Sequence, residues 1–163
     1  MKKFEAHRYV GRWWELGRYP FAWEDSILGA PKTCMTATAD YSYSDGRLNI
    51  RNSCYDDDNL IISVKDAYGE MMIVSKEIVF NGVTITPLAT FNVVFDSTLQ
   101  YRVGEYTLVY TNYDMVAIVI SSKENLAWIL IRDKSLDITY INTIMSIAAG
   151  FGINIKKLII HDM

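Results

Sequence analysis

Two cysteines, two histidines and a run of three aspartates are the residues of this 163-residue chain whose types invite chemistry. A thiolate at Cys54 would need a cation or an imidazole nearby to lower its pKa. The histidines, His7 and His161, stand near the two ends of the chain, and no basic side chain is placed beside Cys54 by the strand pattern. The expectation is therefore a buried, inert thiol. Asp56-Asp57-Asp58 lacks the spaced ligands and the glycine of a calcium loop, and reads as a solvated turn. There is no phosphate-cradling glycine loop, no paired Cys/His spacing for zinc and no Gly-x-Ser-x-Gly elbow. These residues predict no catalysis, no metal and no cofactor. A different group stands out: three of the four tryptophans, Trp13, Trp14 and Trp23, fall within the N-terminal stretch YVGRWWELGRYPFAWED. Trp is costly to expose and anchors cores or pockets.

Composition narrows the function classes. A net charge of −3 with no Lys/Arg run gives no basic surface for nucleic acid. With 3 prolines and no Gly/Ser-rich stretch, residues 1–163 read as one domain, large enough for its own core. No apolar run reaches the roughly 18 residues of a membrane span. MKKFEAHRYVG has the charged start of a signal peptide without an apolar region behind it, and no N-x-[ST] sequon occurs. The absent sequon leans toward an intracellular or virion setting, and the compartment itself stays open, as does the oligomeric state.

Period-2 alternation dominates the chain. It runs from Cys34 to Tyr43, from Arg47 to Cys54 and through Phe91, Val93 and Phe95. Glu105 to Thr111, Met115 to Ser121 and Leu126 to Ile131 are further β-rich runs, and the stretch from Leu60 to Leu88 holds two more strands without clear ends. Between the first two runs, Ser44-Asp45-Gly46-Arg47 predicts a hairpin. Pairing Ser44 with Arg47 puts Cys54 opposite Ala37, about three residues or roughly 10 Å from Cys34 along the strand. On that register the two cysteines are expected as free thiols. One helix is predicted over about 137–149, capped by Asp137, with Ile138, Ile141, Ile144, Met145 and Ala148 on one stripe. Eight antiparallel strands and one C-terminal helix packed outside them describe an all-β, up-and-down barrel.

Three stretches carry a family resemblance. Tyr9-x-Gly11-x-Trp13, with Glu15-Leu16 and Arg18 behind it, resembles the N-terminal signature of the lipocalins. Thr111-Asn112-Tyr113-Asp114 resembles their second motif, and Leu126 to Arg132 their third. The run AWIL-x-R and the pattern TxYDxxA are most similar to the apolipoprotein D and bacterial outer-membrane branch. The resemblance implies that Trp13 plugs the closed end, with Arg132 lying across its ring, while Gly11, Thr111 and Tyr113 belong to the same structural motif. Asn112 departs from the family's acidic residue, which removes a charge at that end. The cysteine pairs that tie the family's C-terminal segment to the barrel are absent from the sequence.

If Arg132 faces inward, Trp128 does so as well, higher on the same strand. Alternation then supplies Ala39, Tyr41 and Tyr43 from one strand and Ile50 and Asn52, beside Leu48, from the next. Phe91, Val93, Phe95 and Val109 complete the expected lining, and Trp23, beside Phe21, falls in a first loop that lids the mouth or latches its rim. Such a cup implies a small hydrophobic ligand with one polar end: a fatty acid, a lysophospholipid or a retinoid-like compound. Two alternatives stay open here. One is a lipocalin-like isomerase or lipid-modifying enzyme using Cys54. The other is a filled barrel that docks a protein or a membrane surface through Phe21 and Trp23.

Overall fold

The computed structural model describes residues 4–19, 36–56, 58, 60–71, 76–95 and 102–161. A short helix α1 (Ala6–Tyr9) precedes β1 (Gly11–Arg18), β2 (Thr36–Ser44), β3 (Arg47–Tyr55) and β4 (Ile61–Met71). Then come β5 (Ile78–Phe80), β6 (Val83–Ile85), β7 (Ala89–Phe95), β8 (Arg102–Thr111), β9 (Val116–Ser121) and β10 (Leu126–Ile131). The chain ends with α2 (Ile138–Gly150), a single 3₁₀ turn (Ile155–Lys157) and β11 (Ile159–Ile160). Eight antiparallel strands run in the order β10-β9-β8-β7-β4-β3-β2-β1, and β10 pairs back onto β1, closing the barrel. Closure joins the first and last barrel strands, which would otherwise be the edges of an open sheet. Strand β11 joins beside β1, at Gly17 and Arg18, where β2 has already left it.

The β2–β3 hairpin turns at Asp45 and Gly46, both with positive φ, and Ala37 faces Cys54 as the spacing predicts. The ill-defined stretch from Leu60 to Leu88 resolves into the long β4 and a separate β5–β6 hairpin lying outside the barrel.

Two apolar layers follow from the strand patterns. Strands β9 and β10 are apolar on both faces because both are covered. Their outward residues, among them Ile118, Ile120, Ile129 and Ile131, pack with Ile144 and Ala148 of α2 and with Phe80 and Ile85 of the hairpin. Asp137 caps α2 by accepting a hydrogen bond from the Tyr140 amide at 2.9 Å. At Gly152, φ is +87° and a Cβ would sit 2.4 Å from the Phe80 carbonyl, so only glycine lets the chain leave α2 this closely against the hairpin. The inward residues form a second cluster: Tyr9, Trp13, Ala39, Tyr41, Leu48, Ile50, Ala67, Phe91, Val93, Leu108, Val119 and Leu130 are buried in it.

The expectation of free thiols is overturned, because Cys54 is disulfide-bonded. The chain has only one other cysteine, Cys34, which lies outside the described residues. The spacing argument carried the β2 ladder back to residue 34, yet β2 begins at Thr36, so the strand register no longer constrains that cysteine.

Candidate ligand-binding site

At one end the barrel is stopped by aromatic rings. Trp13 is fully buried, and its indole N–H donates to the Tyr9 carbonyl at 2.8 Å. The Arg132 guanidinium lies 3.8 Å from the centre of the Trp13 ring. It also donates to the carbonyls of Tyr113, Arg12, Arg8 and Tyr9, at 2.9 to 3.3 Å. A planar fork over a ring suits arginine, whose donors satisfy carbonyls that the barrel end would otherwise leave unpaired. Gly11 passes directly beneath with φ +99°, where an added Cβ would stand 3.3 Å from Arg132 Nη1. The β8–β9 turn is held by side chains. Thr111 Oγ1 donates to the Val116 carbonyl and accepts from the Tyr113 amide, while Asn112 Oδ1 accepts from the amides of Met115 and Val116. A neutral amide oxygen thus performs the turn-capping of an acidic side chain.

Inside the stopper lies a floor of rings. Phe4, Tyr9, Tyr41, Phe91 and Tyr106 meet at centroid distances of 5.1 to 6.1 Å. Three phenols join by their hydroxyls: Tyr9 to Tyr106, and Tyr106 to Tyr41 at 2.8 Å. Burial, the largest cause, raises all three above the ordinary phenol range, so they stay protonated well past neutrality.

Above the floor the inner wall changes character. Ala39, Ala67, Val93 and Val119 occupy it, and Gly104, paired with Val93, falls on the same face as Tyr106. Three inner-face residues, Asn52, Tyr106 and Trp128, keep part of their surface accessible. For Tyr106 this holds although its hydroxyl bonds to two buried phenols.

A charged cluster is set into the wall where β11 joins β1. Glu15, Arg18 and His161 are all buried, with His161 Nε2 2.5 Å from Glu15 Oε2 and Arg18 Nη1 3.7 Å from that same oxygen. Arg18 Nη1 is also 3.3 Å from His161 Nε2.

Residues 4–162 match the sequence profile of the Lipocalin-like domain family. The chain is a lipocalin. A protein of Acanthamoeba polyphaga mimivirus named as a lipocalin is 22% identical over 156 residues, covering 95% of this chain and 82% of that one. Among solved structures, insecticyanin from the tobacco hornworm Manduca sexta aligns with a TM-score of 0.62 at 17% identity, over 100% of this chain and 82% of its own. Lobster apocrustacyanin A1 aligns with a TM-score of 0.60 at 12% identity, over 96% of this chain and 79% of its own. At these identities the structural likeness speaks for the fold.

Within this lipocalin the expected lining residues fall as follows. Ala39, Tyr41, Ile50, Phe91 and Val93 are buried together in the inner cluster, with Tyr43 and Trp128 packed against it. Asn52 lies opposite Ala39 in the β2–β3 ladder, and Phe95 pairs with Ala67, its side chain being outside what the structure describes. Trp23 and Phe21 also lie outside the described residues. Val109 is a correction. It packs in the outer cluster, because a bulge between Leu108 and Tyr110 interrupts the alternation of β8. Leu108 and Tyr106 take the inward places instead.

Simple alternation missed three features. Tyr106 is hidden by the bulge just described. Tyr9, quoted as a motif letter, turns inward from α1 rather than from a strand. Glu15 and Arg18 are an odd number apart, which in a regular strand sends them to opposite faces. A second bulge, between Glu15 and Gly17, brings them to one cluster.

Proposed function

We propose that this lipocalin binds a small hydrophobic ligand within its barrel, between the aromatic floor and the end of the barrel at which β11 joins. The observation that supports this reading is the change of inner wall from rings to Ala39, Ala67, Val93, Gly104 and Val119, with an accessible edge left on Tyr106. Side chains that small leave volume in an eight-stranded barrel whose base is already plugged. The ligand classes that fit are fatty acids, lysophospholipids and retinoid-like compounds. An affinity with the apolipoprotein D and bacterial branch rests on the AWIL-x-R run, whose Trp128 borders the proposed cup. Catalysis through Cys54 loses its support, since a disulfide-bonded sulfur offers no thiolate.

The test is a titration of the Trp fluorescence with members of the three classes. Saturable quenching by at least one, reduced in Trp128→Ala, is the expected result. No response to any of them would leave the barrel without a ligand role. Docking through the rim is the second reading, favoured by Leu60 and Ile61, 63% and 57% exposed at the end of β4 far from the floor. In that case Leu60→Ser/Ile61→Ser abolishes co-sedimentation with neutral phosphatidylcholine vesicles and leaves ligand quenching intact.

A further inference from the structure

One hydroxyl in the wall of the cup makes no hydrogen bond. Along β9, Val116, Ile118 and Ile120 pack outward with α2, while Ala117 and Val119 face the interior. The ladder with β10 is regular as far as Leu126 opposite Ser121. Ser121 therefore takes the next inward place, two residues beyond Val119 toward the open end. The residue is 1% exposed, and its Oγ neither donates nor accepts a hydrogen bond. Buried polar atoms left in this way are rare, because the lost hydration is not replaced. Serine here costs the fold stability that alanine would not.

The neighbours of Ser121 indicate what supplies the missing bond. Trp128 lies diagonal to it across the β9–β10 ladder, and Tyr106 is one step beyond the Thr107–Ile120 pair on β8. Both keep part of their surface accessible. A serine turns among three staggered rotamers, so its hydroxyl can swing toward a molecule lying against Trp128. That hydroxyl brings one donor and no charge. A carboxylate placed there would give up its hydration for a single bond, since Arg18, paired with Trp128, is held against Glu15 and His161. A neutral hydroxyl or ester oxygen needs no more than that bond. From Ser121 to Ala117, which pairs with Thr111 at the closed end, the strand rises about 13 Å. An apolar chain attached to such an oxygen has that depth to run down toward the rings.

We infer that Ser121 is the polar contact of the ligand, its hydroxyl bonding the neutral oxygen of a long-chain alcohol or ester near the mouth while the chain points to the aromatic floor. This deepens the proposed function and rests on it.

Ser121→Ala separates binding from folding. The variant is expected to unfold at the same denaturant concentration as the parent or a higher one. Decanol, decanoate and decane are then titrated against the Trp fluorescence of the whole chain. Decanol should bind the parent about ten-fold tighter than decanoate. In Ser121→Ala it should bind about five-fold more weakly than in the parent, with decane unchanged. Decanoate binding as tightly as decanol, or a substitution that moves decanol and decane alike, overturns the contact while the cup stands. A variant that is destabilised or does not fold overturns it too, because the hydroxyl would then serve the fold. Longer lipids binding where decanol does not has the same meaning. Failure of all three probes and of the longer lipids overturns the cup, and the Ser121 contact with it.

Discussion

Gly11 shows how far a single residue can govern the closed end. Its φ of +99° is open to glycine and strained for any side chain, and the space above it is taken by Arg132 Nη1 at 3.3 Å. Gly11→Ala therefore both strains the backbone and pushes the guanidinium off the Trp13 ring. The expected loss is about 2 kcal/mol in denaturant unfolding, with an unchanged m-value. Arg132→Lys should cost a similar amount, because an ammonium cannot reach four carbonyls and a ring face together. If either variant melts with the parent, the stopper is not held by this contact. The three floor phenols make a separate prediction about alkali. Their pKa values are raised by burial, so above pH about 10 the unfolded chain gives up protons that the folded chain retains. Their contribution is fully present below that value and is lost progressively as the pH rises from there toward the raised folded-state values. In a phenolate absorbance titration, Tyr9, Tyr41 and Tyr106 should stay silent until the barrel opens. Titration of these three near pH 10 with native circular dichroism retained would mean that solvent reaches the floor.

At the scale of elements, the regular parts were legible and the irregular ones were not. The β2–β3 register, the apolar stripe and cap of α2, and the Trp13–Arg132 pair each follow from a fixed period or from a matched motif. The bulges in β1 and β8 break that period, and each insertion exchanges the faces of everything beyond it. That single cause misplaces Val109, conceals Tyr106 and separates Glu15 from Arg18. Nothing local marks His161 as their partner either, since it stands 146 positions along the chain from Glu15. The consequence is that β11 is fastened by a buried charged cluster as well as by two ladder residues. Removing one member of such a cluster takes a buried polar partner away from the others. His161→Ala should cost about 3 kcal/mol, roughly 10 °C in Tm. A shift of no more than about 2 °C would show that β11 is held by its backbone pairing alone.

Across the whole molecule, the two ends of the barrel are secured by different means. The closed end is tied by rings, the Arg132 fork and the β8–β9 turn, none of which needs a covalent bond. Cys54 stands near the opposite end of β3, beyond the residues paired with the middle of β2, and there the chain relies on a disulfide. Cross-links of this kind act mainly on the unfolded ensemble and contribute about 2–4 kcal/mol. Cys54→Ser, or an added thiol reductant, should therefore lower Tm without dismantling the stopper. Native-state hydrogen exchange separates the two ends. The amides of Trp13, Trp14 and Ala117 should keep the protection of the global unfolding reaction, while those of Ala37, Ser53 and Cys54 exchange through a cheaper local opening. A uniform loss of protection would mean that the barrel opens as one unit, so that its two ends could not be tuned separately for stability and for access to the cup.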